Sequence, residues 1–242
     1  MENCYINDMK YKLPRQIYLQ DISKIVAREI KEQEIDLASL PKKNLKELVV
    51  VSEVILEKGL PSHFILKKLE GHEHLGYGLF LRPDAEPILK GELIAPYSGE
   101  LSISPQNDPD DSAYAFAPLS DILLKKVEQE SLDKKKKFHP KRLYALNLDA
   151  EKKGNFTRFI NHSAKPNIEA EIFKVSKNSL GIAPSPLEVF YRAKKKILPG
   201  EQLLVCYEDE EESYWKPFKI KPLHMTPKTF TLDKSLKINI SK

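Results

Sequence analysis

Apolar side chains return at Ile22, Ile25, Val26 and Ile30, the spacing of one buried helix face. Asp21 stands where it can cap that helix. A second run, Leu45, Leu48, Val49, Ser52 and Ile55, keeps the same period. Asn44 and Glu47 read as its capping-box pair, and Gly59 followed by Pro61 as its stop. Residues 1–70 therefore predict a helical lobe, either a packing lobe or a dimer arm, with nothing catalytic in it.

The pattern changes after residue 70. Short apolar runs at 93–97, 168–173, 188–193 and 203–207 are separated by Gly, Pro and Asn turns, which predicts a mostly β domain over 71–215. Two of these strands begin alike. Lys90-Gly91 precedes the first, and Gly200-Glu201 precedes the last. Residues 102–142 read as an insertion. Within it, Ser120 is the expected cap of a short helix carrying Leu123, Leu124 and Val127. Residues 216–242, rich in lysine and proline, read as a partly ordered tail.

Composition narrows the function classes. The chain has 242 residues, 41% of them apolar, enough for one large domain with a real core. A net charge of +4 is only a weak pointer to an anionic partner, because acidic runs are present too. Cys4 and Cys206 are the only cysteines. They cannot build a thiolate zinc cluster, and they suggest an intracellular, reducing compartment. No apolar run approaches the roughly 18 residues of a membrane span, and no secretory signal opens the chain. No membrane partner is expected, although export by a signal-independent route stays open.

Several segments invite chemical readings. His72-Glu73-His74 puts two imidazoles on one strand face but lacks a third ligand, so it reads as surface. Asp108-Pro109-Asp110-Asp111 lacks the glycine and terminal glutamate of a calcium loop. Lysines 134–137 with Lys141 and Arg142 read first as a solvated face and second as a nucleic-acid contact. Gly76-Tyr77-Gly78 is different: glycines around an aromatic let a backbone approach a ligand closely. The third glycine of a dinucleotide fingerprint is missing. The densest stretch is 155–167. Arg158 offers a planar fork of donors, Asn161 donors and an acceptor, and His162 both, between apolar Phe159 and Ile160. A ligand needing several hydrogen bonds suits it, as does a buried turn whose polar groups satisfy backbone. Near the end, Tyr207 closes a strand, residues 208–212 are all acidic, and Trp215 follows.

Taken in order, Gly76-Tyr77-Gly78, Gly91-Glu92, Arg158-Phe159-Ile160-Asn161-His162-Ser163 with Pro166-Asn167, and Gly200-Glu201-Gln202-Leu203 leading to Tyr207 resemble the SET-domain protein lysine methyltransferases. The resemblance covers about residues 70–215. It implies a mostly β fold with some helix, in which the Asn-His-Ser segment and the Tyr207 strand form a knot-like crossing. It also implies S-adenosylmethionine as methyl donor and a lysine side chain as acceptor. Gly76, Tyr77, Gly78, Arg158, Asn161 and His162 would bind the donor, and Tyr207 would face the transferred methyl. Tyr114 or Tyr144 would line the lysine channel, with Trp215 closing it. Ala164 stands where many members have cysteine, and no cysteine follows Cys206. No metal is therefore expected, and the compact pattern looks like SET proteins of viruses and of bacteria living inside eukaryotic cells. For a bacterial source, export to a host nucleus is one destination. Glu210, Glu211 and Glu212 beside such a channel would attract basic proteins, histones or histone-like ones. A non-catalytic SET-like module that binds lysine-rich peptides or nucleic acid is the alternative.

Overall fold

The computed structural model describes residues 9–70, 75–106, 112, 114–132, 137–176, 180–207 and 224–232. Two helices come first, α1 (Gln20–Glu32) and α2 (Lys42–Lys58), and Gly59 ends the second with φ 76°. Capping differs from the sequence expectation. Leu19 and Pro41 hold the N-cap positions, and neither helix has a side-chain cap bond. Asp21 sits in the first turn and accepts from Ser131 Oγ at 2.6 Å, while Asn44 donates to the Glu47 side chain at 2.7 Å. Both residues fall inside the first turns, past the N-cap position, and there they serve side-chain contacts.

The strands are β1 (Phe64–Lys68), β2 (Tyr77–Leu81), β3 (Leu93–Tyr97), β4 (Gly99–Pro105), β5 (Ala115–Leu123), β6 (Leu143–Gly154), β7 (Asn161–His162), β8 (Ile168–Val175), β9 (Ser185–Ala193) and β10 (Leu204–Val205). They form small sheets: β1-β2, β3-β9-β8 and β4-β6-β5, all antiparallel, and the parallel pair β10-β7. β9 is central in its sheet and almost wholly buried, as a strand covered on both faces must be.

One core joins the helices to the sheets. Ile22, Ile25, Val26 and Ile55 pack with Phe64, Leu79, Ile94, Val189 and Leu203. The boundary read near residue 70 falls between the paired strands β1 and β2. The 102–142 segment is more regular than expected. β5 runs through Ser120 and Leu123, and the helix α3 (Lys126–Leu132) starts later. Glu128 accepts from the Lys125 backbone N–H at 2.8 Å, so an acidic residue inside the helix does the capping that Ser120 was expected to do. Residues 224–232 also depart from a loose tail. Ser163 Oγ donates to Met225 O at 2.5 Å, Gln202 N to Pro227 O at 3.1 Å and Leu232 N to Gly200 O at 3.0 Å. Buried Met225 and Leu232 anchor this strap, an apolar signal that the surrounding lysines and prolines mask.

The two similar turns stand back to back. Ile88 and Ile197 exchange backbone hydrogen bonds of 3.1 and 2.9 Å. Glu92 accepts from Leu89 N at 3.0 Å, and Glu201 from Leu198 N at 2.9 Å. Gly91 and Gly200 both have φ +86°, where a side chain is strained. Their surroundings differ. A Cβ on Gly91 meets open space, whereas one on Gly200 would lie 2.7 Å from Leu232 O in the strap. Gly91→Ala should therefore cost about 1–2 kcal/mol of strain, and Gly200→Ala measurably more. Denaturant midpoints of the two variants check this; equal losses would show that the strap yields freely.

Candidate active site

The site grows from a buried turn. Asn155 has no exposed surface. Its amide donates to Pro96 O at 2.8 Å and accepts from Thr157 N at 3.0 Å and Thr157 Oγ1 at 2.5 Å. That clamp holds the 3-10 turn Phe156–Phe159 against β3. Arg158 leaves the turn between aromatic rings. Its guanidinium carbon lies 4.3 Å from the Tyr114 ring centre, 4.5 Å from Tyr11 and 5.4 Å from Phe159. Nη1 donates to Glu151 O at 2.8 Å. Arg158 Nε is buried and has no hydrogen-bond partner among the described residues.

The strands β7 and β10 then interlock with their flanks. Ser163 N donates to Val205 O at 2.8 Å, and Asn167 N to Leu204 O at 3.1 Å. The buried Asn167 amide donates to Gln202 O at 2.8 Å and accepts from Leu204 N at 2.8 Å. On this base, Asn161 Nδ2 reaches across to Tyr77 O at 3.0 Å. Asn161 thereby holds the carbonyl between Gly76 (φ +65°) and Gly78. His162 is buried, and its Nδ1 accepts from Tyr207 N at 3.1 Å. That bond assigns the imidazole proton to Nε2. The His162 and Tyr207 rings meet edge to face at 5.5 Å. The Tyr207 hydroxyl donates to Ile160 O. Tyr207 is thus held at its backbone and at its hydroxyl by the same short segment, 160–162.

Gly76, Tyr77, Gly78, Arg158, Asn161, His162, Tyr207 and Tyr114 are brought into one connected region. Tyr77 packs edge-on against Phe159 at 6.2 Å, and Tyr114 enters through Arg158. Tyr144 is placed elsewhere. It is buried on β6, and its hydroxyl donates to Gln129 of α3 at 3.2 Å. That contact belongs to the packing of the 102–142 segment and does not join Tyr144 to the Arg158 stack. Trp215, Glu210, Glu211, Glu212 and the His72–His74 stretch lie outside the described residues, as do Asp108–Asp111 and Lys134–Lys136. Among the described residues, no group of three or more His, Cys, Asp or Glu side chains could hold a metal ion, and no helix is long and apolar enough to cross a membrane.

Sequence reading missed Tyr97. Its hydroxyl donates to Tyr114 O, and its ring packs on Phe116 at 6.1 Å and on Tyr191 at 5.9 Å. Burial pushes the Tyr191 phenol well above its ordinary range, so it supports Tyr97 as a neutral ring. The signal was in the paired turns. Both start strands that run to a tyrosine, Tyr97 and Tyr207. Asn155 and Asn167 were also missed as the two clamps of the segment they bracket.

An interlocked β-rich core carrying a glycine loop, an Asn-His pair and a doubly held tyrosine defines a SET-type domain. The family model for the SET domain matches residues 76–208, more than half of the 242-residue chain. The chain belongs to the SET-domain family. Among curated proteins it is similar to a histone-lysine N-methyltransferase, H3 lysine-4 specific, of Schizosaccharomyces pombe, with 27% identity over 128 residues. A protein of the same name from Cryptococcus neoformans is 27% identical over 138 residues. These matches take in 53% and 57% of this chain but only 11% and 8% of those relatives. The chain therefore spans about a tenth of their length. A solved structure of ATXR5 in complex with mono-methylated histone H3.1 aligns with TM-score 0.53 and 17% identity, covering 87% of this chain and 86% of that one. It supports the fold.

Proposed function

We propose that this chain is a protein-lysine N-methyltransferase that uses S-adenosylmethionine and acts on basic proteins of the histone or histone-like type. The observation that carries the reading is Tyr207, fixed at both ends by residues 160–162, beside the Asn161 that holds the Gly76–Gly78 loop. The relatives' names support lysine as the acceptor class.

The residues present fit the donor. Arg158 Nε is a buried N–H without a partner, suited to a carboxylate. The loop 76–78 presents backbone, with Gly76 at φ +65° and no room for a Cβ at Gly78, and the rings of Tyr77, Phe159 and Tyr207 would favour a sulfonium. S-adenosylmethionine, when bound, supplies an electrophilic methyl group. The chain's own part is to present the lysine. Free lysine has a pKa of about 10.4 and must lose a proton to attack. A lysine channel lined by tyrosine rings would disfavour the charged ammonium by desolvation. The Tyr207 hydroxyl donates its proton to Ile160 O, and its oxygen would orient the amine and meet polarised C–H groups. No strong base is needed at the nitrogen.

Incubation of the full chain with labelled donor and with histones, bacterial DNA-binding basic proteins and the chain itself tests the reading. Labelled lysine in a basic protein, insensitive to chelators, is the expected result. No transfer to any of them overturns the activity, and loss of transfer on chelation overturns its metal-free form. Glu210, Glu211 and Glu212 would act in substrate choice as screened charges near the channel. Changing all three to Gln should raise KM for a basic protein and flatten its salt dependence, with donor binding unchanged. Kinetics unaltered across a salt series would reduce the run to a surface loop. A reducing, intracellular setting is the one we propose for a chain whose two cysteines are Cys4 and Cys206.

A further inference from the structure

Gln202 breaks a rule that its neighbours obey. Its side chain is fully buried, yet neither amide atom has a hydrogen-bond partner among the described residues. The equally buried amides of Asn155 and Asn167 use both their nitrogen and their oxygen. The Gln202 backbone is well held, by Pro227 O and by Asn167 Nδ2. Only the side chain is unsatisfied. An unpaired buried amide costs stability that an apolar side chain of the same shape would not. Such exceptions concentrate at functional positions.

Its location says which function. A Cβ on Gly78 would lie 2.5 Å from Gln202 Nε2 and 3.2 Å from its Cδ. The amide therefore lies directly against the Gly78 backbone, and only glycine leaves it room. β2 and the 200–203 stretch are locked together by Leu203 N to Leu79 O at 2.8 Å and Leu81 N to Glu201 O at 3.0 Å. Asn161 grips the preceding carbonyl, Tyr77 O. The glycine loop is thus held by one amide and pressed against a second that has nothing to bond.

We propose that Gln202 is a positioning residue of the methyl-donor site, whose amide gains its missing hydrogen bonds when residues 76–78 settle around the donor. The inference rests on the donor-site reading above. A glutamine suits the task because it offers both N–H and C=O to a backbone segment, whichever group turns inward. The free form carries the unpaired amide, and the bound form does not. That difference adds to donor affinity without any contact between Gln202 and the donor.

Gln202→Met, near in shape and without the amide, separates this from a plain packing role. Calorimetry with S-adenosylmethionine and thermal melts with and without it are the measurements. The variant should melt at the same or a higher temperature when free and bind the donor about five- to tenfold more weakly. Its donor-induced rise in Tm should shrink. A lower free melting temperature with unchanged affinity would show an amide satisfied in the free state by trapped water, and would overturn the proposal. Unchanged values on both counts would overturn it as well. Should the variant not fold, the wild-type chain still decides. Its Gln202 side-chain amide protons should shift and exchange more slowly on donor addition, and identical behaviour with and without donor counts against the role. A wild-type chain that binds no donor removes the donor reading and this inference together. A wild-type chain that binds, with Gln202→Met binding equally, removes only the inference.

Discussion

Replacing Tyr207 by Phe should lower the rate of methyl transfer about a hundredfold, the scale expected when a reacting group loses its alignment, and leave donor affinity within about twofold. The change removes one oxygen. The ring keeps its edge-to-face contact with His162, and the Tyr207 backbone N–H keeps its bond to His162 Nδ1. What disappears is the hydroxyl fixed on Ile160 O. The fold should persist, with a loss of about 1 kcal/mol for the carbonyl left without its donor. Single-turnover kinetics with saturating donor, read beside a calorimetric titration, make the separation. Tyr97→Phe and Tyr114→Phe are the comparisons, because both residues belong to the same connected region. Undiminished turnover in Tyr207→Phe would assign the chemistry to another tyrosine.

Asn161→Ala should act on the other half of the site. It deletes the 3.0 Å bond to Tyr77 O and so frees the loop from its lateral hold. Donor affinity should fall about tenfold or more, the value of one hydrogen bond plus the stranded carbonyl. Stability should change little, since Asn161 is only partly buried and β7 is held by its backbone pairing with β10. The titration should show one donor site per chain in the wild type. Full affinity in the variant would mean that the glycine loop is set by other contacts.

How much of this was legible beforehand depends on distance along the chain. The turn at Gly91, the strand Leu93–Tyr97 and the inner face of α2 follow from local spacing, and the structure has them in place. The Asn-His-Ser segment stood out because three polar side chains sit beside apolar Phe159 and Ile160. Their partners could not be read. Asn161 to Tyr77 spans 84 positions and Asn155 to Pro96 spans 59, and no local pattern encodes either. Tyr144 shows the converse case. A tyrosine beside an insertion is a fair channel candidate until Gln129 of α3, built from a segment with weak periodicity, takes its hydroxyl. Asp21 and Asn44 looked like caps because their residue types favour that role. The helices begin at Gln20 and Lys42, which places both inside the first turns instead.

The strap at 224–232 ties the completion of the site to the order in which the polypeptide is made. Ser163 waits for Met225, 62 positions later, and Gly200 and Gln202 wait for Leu232 and Pro227. A ribosome that has released residue 207 has produced Asn161, His162 and Tyr207, yet the interlocked strands still lack these late bonds. Assembly should therefore end with the strap, and contacts of such separation close slowly. A premature stop anywhere between residues 208 and 224 would spare Tyr207. It would nonetheless strip the buttress from behind both the Asn-His-Ser segment and the strand that supports the glycine loop.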